Sequence, residues 1–304
     1  MGTDTATADM GPTSTEDFAT DEDVWVNPLG GLGDTLMLSG VLKLAVEHNP
    51  SRKYSLVRRS AYLNLLRGHP AIREIGFPPR NARAIGSDYW SKEPLGGGNQ
   101  RAFQVLARAF GLPTPVEERL FLPGTLEEDP LLEAIIPWRE KNILIAPASD
   151  SPRKVMDPMQ WHHLVDKLLD EGFLVLQAGR PGELHIRNTY SLLGVTAPRQ
   201  TIWLVDKCDL VIASDTFAVH AAHLVETPAV VVWGPTRSEV YGYSEQSHIT
   251  APLDHCDMRD KCIGPQVSEN YSTPCPLGQD HCMNKISVDT IFNKAIARLW
   301  APAG

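Results

Sequence analysis

The sequence predicts an α/β protein built from two doubly wound domains, each a parallel sheet with helices on both faces. Three observations carry this reading. The chain has 304 residues, about twice the ~150 of a typical domain. Short, strongly apolar runs alternate along it with longer stretches of helical periodicity. A glycine turn, Leu29-Gly30-Gly31-Leu32-Gly33, follows the first apolar run and opens the first helical one, the order expected of a strand–turn–helix unit.

The elements follow in order. Residues 24–27 (VWVN) read as a strand, and Asp34 to about His48 as a helix with Leu36, Met37, Val41, Leu44 and Ala45 at helical spacing. Asn49-Pro50 ends it, because proline cannot continue a helix. Residues 53–59 give a second strand, and a third lies within 73–77. From Gly111 to about Pro137 the chain is rich in proline and acid without periodicity, which puts the domain boundary there. Strands then return at 142–146, 173–178, 209–214 and 229–233, with helices at 158–171, 218–226 and 287–300, the last with Ser287 as N-cap. The expected organisation is a disordered polar tail at 1–22, an N-terminal domain at 23–137 and a C-terminal domain at 138–304. The latter carries a cysteine-rich insert at 255–283.

Composition narrows the function. With 37 acidic and 28 basic residues the formal charge is −9, against a general nucleic-acid binder, which needs clustered cations for phosphates. No apolar run approaches the ~20 residues of a membrane span. The first residues lack the basic and apolar regions of a signal peptide, so the expected location is cytoplasmic. Peripheral contact with a membrane stays open.

In doubly wound folds ligands bind outside the carboxyl ends of the strands, so the post-strand loops are the places to look. Gly30, Gly31 and Gly33 let a backbone approach a ligand or cleft closely, but the pattern is not G-x-G-x-x-G. Asp34, directly after them, would repel a pyrophosphate and suits a base better; taken alone it reads more readily as a residue that caps or charges the first helical turn. The loop at 147–158 offers Ser149, Ser151, Arg153 and Lys154, hydroxyls and cations suited to a phosphorylated ligand, or an ordinary solvated loop. Asp215 and Thr216 precede a helix whose N-terminal amides could hold a diphosphate; His220 reads as a satisfied, partly buried histidine. The turn at 233–236 (WGPT) is expected to border the same pocket, or reads as a plain proline turn.

The order of these motifs resembles glycosyltransferase family 9, the ADP-heptose:lipopolysaccharide heptosyltransferases and their relatives. GGLGD follows the first strand, and a lysine-bearing loop precedes a tryptophan-bearing helix. D-T-x-x-x-H and AVVVWGPT come after. The resemblance spans about 24–300 and is dense from 142 to 237. It implies a GT-B fold, two Rossmann-like domains facing a cleft, with the acceptor on the N-terminal side and a nucleotide-sugar on the other. It implies inverting transfer with no cofactor for the chemistry. Asp34 would be the general base, Lys154 would lie near the donor phosphates, Asp215 and Thr216 would form the donor loop and Glu183 would lie near the donor ribose. The expected partners are a nucleotide-diphosphate sugar, ADP-heptose above others, and a lipopolysaccharide-core, glycan or lipid-linked acceptor. Three departures stand out: Asn27-Pro28-Leu29 stands where members often carry Arg or Lys before the turn, Phe217 replaces the glycine usual after D-T, and the acceptor half is short.

Four of five cysteines, Cys256, Cys262, Cys275 and Cys282, fall within 27 residues. Four thiolates suit a structural zinc or iron, with His255 and His281 as substitutes, or the cluster is four reduced thiols. A subgroup of the resembled family uses such cysteines for a structural iron that supports oligomerisation, which leaves a homo-oligomer open. Competing readings are a GT-B transferase with another donor or a protein acceptor, and a catalytically silent GT-B binding protein. A dinucleotide oxidoreductase, with Arg58-Arg59 on a 2′-phosphate, lacks the glycine fingerprint.

Overall fold

The structure, a computed structural model, describes residues 24–82, 84–254, 256, 262–263 and 270–301. The expected tail at 1–22 and His255 lie outside them. Two sheets form, and every strand pair in both is parallel.

The first sheet holds β1 (Val24–Asn27), β2 (Tyr54–Val57), β3 (Ile72–Gly76) and β4 (Ala84–Gly86) in the order β3-β2-β1-β4. Helix α1 (Leu32–His48) crosses from β1 to β2, starting two residues earlier than the periodicity predicts. After β4 come the short α2 (Tyr89–Lys92) and α3 (Ala102–Ala109). Phe103, Val105 and Leu106 of α3 join Val41 and Leu42 of α1 in the core of this half. A single-turn helix, α4 (Pro130–Ile135), interrupts the long connection, capped by the Asp129 carboxylate.

The second sheet comprises β5 (Asn142–Ala146), β6 (Leu174–Gly179), β7 (Tyr190–Leu193), β8 (Leu210–Ser214), β9 (Ala229–Trp233) and β10 (Ser247–Thr250), ordered β10-β9-β8-β5-β6-β7. Its helices are α5 (Pro158–Asp170), α6 (Pro198–Lys207), α7 (Phe217–Leu224), the short α8 (Ser238–Tyr241) and α9 (Val288–Leu299). The near-continuous apolar runs have their reason here. Val211 and Ala213 of β8 face one core with α6 and α7, while Leu210 and Ile212 face another with α5 and α9. Such two-faced burial contributes roughly 1.5–3 kcal/mol per large aliphatic side chain. The Ser287 hydroxyl accepts from the Thr290 amide and caps α9 as expected.

Each sheet has a point where the strand order reverses, between β1 and β4 and between β5 and β8. The crevices outside the carboxyl ends of such pairs are where doubly wound folds bind ligands. The two halves meet where α1 packs on α7, and Leu36 of α1 belongs to the second sheet's core. The contact is closest at Gly33. A Cβ there would stand 2.4 Å from Cδ2 of His220, and that ring is fixed by its 2.7 Å hydrogen bond with the Tyr243 hydroxyl. Gly33→Ala is therefore expected to overpack the seam and cost about 1–3 kcal/mol, read as a lowered melting temperature; an unchanged midpoint would show that the seam yields freely.

Candidate active site

At the first reversal point, Gly30 turns the chain with φ +93°, a conformation glycine adopts without the penalty of a Cβ. The Leu29 amide donates to the Ser87 hydroxyl (2.7 Å), tying the loop after β1 to the loop after β4. That tie brings Asp34 and Tyr89 together. The Asp34 carboxylate accepts from the Gly31 amide at Oδ2 and from the Tyr89 hydroxyl at Oδ1, both at 2.7 Å. Of the two alternatives drawn from the sequence, the helix-start role is the one visible here, since the carboxylate accepts from the Gly31 amide where α1 begins. Burial lifts its proton affinity above the ordinary carboxylate value, and the bonds from Tyr89 and Gly31 and the charge of Lys154 restrain the rise.

At the second reversal point, the Lys154 ammonium lies 3.2 Å from Oδ2 of Asp215, both residues under 10% exposed. Burial opposes the charge on each, yet each holds the other ionised: Asp215 stays below the usual carboxylate range and Lys154 above the usual ammonium one. Ser149 donates to the Asp215 carbonyl (3.1 Å). The two halves are in electrostatic reach, because Lys154 and Asp215 both act on Asp34. The Asp150 carboxylate stands 3.6 Å from the place a Gly31 Cβ would occupy, which brings the loop at 147–158 up to the glycine turn.

The other expected residues are placed as follows. Ser151 is fully buried, its hydroxyl accepting from the Arg153 amide beneath the turn at 152–154. Glu183 pairs with Arg180 (2.8 Å), which also holds Asp150, so this acid reaches the rim of the loop at 147–158. Thr216 is the N-cap of α7 without a side-chain capping bond. Phe217 has no left-handed backbone and packs against the second sheet's core, so this position makes no conformational demand for glycine. His220 is buried, neutral with a pKa lowered to about 4 by burial, and bonded to Tyr243, as its sequence reading expects.

Sequence reasoning missed the aromatic lining. Tyr89, Tyr241 and Tyr271 come from segments far apart in the chain, and no local motif marks them. The Tyr89 and Tyr241 rings lie 6.5 Å apart, one from each half. The Tyr271 ring centroid stands 5.5 Å from the Lys154 ammonium.

All five cysteines are free. The four of the insert act on one another, and burial first, then the neighbouring thiols, pushes the Cys282 thiol up to about 12. Even so, among the described residues no three His, Cys, Asp or Glu side chains gather closely enough to hold a metal ion, so the thiols as arranged do not form a cage. Among the described residues no helix is long and apolar enough to cross a membrane.

Comparison with known proteins agrees with this geometry. The fold is similar to a family 9 glycosyl transferase from Veillonella parvula (TM-score 0.67, 14% identity, 92% of this chain and 97% of that one). It is also similar to the ADP-heptose LPS heptosyltransferase II of E. coli (TM-score 0.65, 15% identity, 91% and 98%). The iron-containing dodecameric glycosyltransferase TibC from enterotoxigenic E. coli matches at TM-score 0.67 with 15% identity, over 92% of this chain and 76% of that one. These are GT-B proteins, and the two facing sheets here have that architecture. A comparison with curated protein sequences finds no match. The pattern of Glycosyltransferase family 9 (heptosyltransferase) matches residues 99–260, a little over half of the 304 residues. The chain belongs to glycosyltransferase family 9, and is a glycosyltransferase of the heptosyltransferase type.

Proposed function

We propose that this enzyme transfers a sugar, heptose from ADP-heptose in the first instance, to a lipopolysaccharide-core or other glycan acceptor with inversion at the anomeric carbon. The observation that carries this reading is a proton-avid carboxylate, Asp34, from one half within electrostatic reach of a buried lysine, Lys154, from the other. Asp34 takes the proton of the acceptor hydroxyl as its oxygen attacks the anomeric carbon. The bond from that carbon to the diphosphate breaks on the opposite face, and the nucleoside diphosphate leaves with its electron pair. Lys154, with the Ser149 and Thr216 hydroxyls and the amides opening α7, stabilises that leaving anion. Glu183 at the rim is suited to the donor ribose, and Gly30 and Gly31 to a close approach of the acceptor, whereas Gly33 packs against His220 in the seam between the halves. Asp215 holds Lys154 charged until the donor arrives. The division into an acceptor half at 23–137 and a donor half at 138–304 follows from the same reading.

The test is a thermal-shift panel with ADP, UDP, GDP, NADP and ADP-heptose. A ligand at 100 times its dissociation constant adds about 2.7 kcal/mol. Stabilisation by ADP, and more by ADP-heptose, is expected; a preference for UDP or GDP would change the sugar, and a response to NADP alone would overturn the assignment.

Tyr89 supplies a second check. Its hydrogen bond lowers the proton affinity of Asp34, so Tyr89→Phe lets that affinity rise. The acid limb of the kcat/KM profile is then expected to move to higher pH. An unmoved limb would separate Asp34 from the rate.

For Cys256, Cys262, Cys275 and Cys282 the reading is a structural zinc or iron, away from the chemistry. What supports it is four free thiols within electrostatic reach of one another, together with a buried His281 Nε2 that has no hydrogen-bond partner. Binding requires the thiols to draw closer than they stand. Elemental analysis of purified protein is the check, and a metal-free chain returns the cluster to four reduced thiols.

A further inference from the structure

Arg153 is an arginine buried to 3% exposure. Its guanidinium donates to the Thr273 carbonyl and hydroxyl, both at 2.9 Å, and to the Cys262 carbonyl at 3.4 Å, with Cys262 Sγ also at 3.4 Å. Every one of these partners lies in the cysteine-bearing insert. Burying a guanidinium is costly unless its donors are met, so the loop at 147–158 and the insert are fastened firmly together. The next residue along the loop is Lys154. Two residues before Thr273 is Tyr271, whose ring covers the Lys154 ammonium at 5.5 Å and whose hydroxyl helps keep that ammonium charged. Tyr271 also feels the Asp150 and Asp215 carboxylates, which puts it among the groups of the loop at 147–158 and the end of β8. At 37% exposure it keeps surface open to a ligand.

We propose that the insert is part of the donor site: Tyr271 touches the bound nucleoside diphosphate, and Arg153 is the positioning residue that holds the insert in place for it. The inference rests on Lys154 lying at the donor phosphates. When a diphosphate takes the place of the Asp215 carboxylate on Lys154, the Tyr271 hydroxyl is placed to donate to a phosphate oxygen and its ring to lie over the attached sugar or base. The insert then sets donor affinity directly, with no role in acceptor binding.

The experiment is calorimetric titration with ADP alongside steady-state kinetics. Tyr271→Ala is expected to weaken ADP roughly fivefold, the size of one aromatic–cation contact. It should raise the donor KM, leave the acceptor KM unchanged and leave the melting temperature near its native value. Arg153→Lys should weaken ADP in the native background and add nothing in the Tyr271→Ala background, since the two act in series. Thr273→Val, which removes one acceptor of the Arg153 guanidinium while keeping the arginine itself, serves where Arg153→Lys fails to fold. Lys154→Ala is the reference. If it loses ADP while Tyr271→Ala binds as the native protein does, the insert has no part in the donor site. If Lys154→Ala itself binds normally, the donor-site reading falls with it. Equal loss of donor and acceptor KM in Tyr271→Ala would overturn the proposal in favour of a general structural role.

Discussion

Replacing Asp34 with asparagine is expected to lower the transfer rate by a factor of about 10²–10⁴, the worth of a positioned general base, while ADP affinity stays where it was. Asparagine keeps an oxygen for the Gly31 amide, which Asp34 now binds at 2.7 Å, so the start of α1 survives and the loss reads on chemistry. It cannot take a proton from an acceptor hydroxyl. The measurement is kcat with saturating donor and acceptor beside an ADP titration. A variant that turns over at the native rate would remove Asp34 from the mechanism, and one that also loses ADP would mean the substitution has deformed the cleft.

The second large effect is expected at Lys154. In Lys154→Met the Asp215 carboxylate, 8% exposed and 3.2 Å from the missing ammonium, is left as a buried charge without its partner. Breaking a buried pair from one side costs about 3–5 kcal/mol. Asp215 is held below the ordinary carboxylate value in the native protein, burial opposing and Lys154 favouring the charge. Its contribution is thus present above that ordinary value and lost as pH falls through the lowered one. Without Lys154 the lowering disappears, and protonation of Asp215 relieves the variant in acid. Denaturant unfolding should therefore find the gap between variant and native protein widest near neutrality and narrower toward pH 4. A gap independent of pH would mean that the pair contributes by packing alone.

The parts of the molecule legible in the sequence are those whose own residues carry the pattern. The strands at β5, β8 and β9 announce themselves because both faces are buried, and α5 because Trp161, Leu164, Val165 and Leu168 make one buried face. Strands β4, β7 and β10 escape: they are three or four residues long, sit at sheet edges and carry mixed burial. Helices α3 and α6 escape because α3 is short and buried almost throughout and α6 carries polar residues on its outer side. The site divides the same way. Asp34, Lys154 and Asp215 stand at strand ends in recognisable loops, whereas Tyr89 reaches Asp34 across 55 residues and Tyr271 reaches Lys154 across a separate insert. Ser151 stands in the same loop as Lys154, and its hydroxyl accepts from the Arg153 amide within a turn that no local motif marks.

The packing of α1 on α7 has a consequence for how this enzyme tolerates change. Asp34 and the Lys154–Asp215 pair sit near the ends of elements pressed against each other through Leu36 and Gly33, so their spacing is written into a core contact. The exposed stretch around Glu127 and Glu128 merely carries the chain from one half to the other. Lengthening such a connection costs only about 0.6 kcal/mol per doubling. Material can be grafted, trimmed or swapped there while Asp34 keeps its distance from Lys154 and Asp215, so the connection can change in length without moving them.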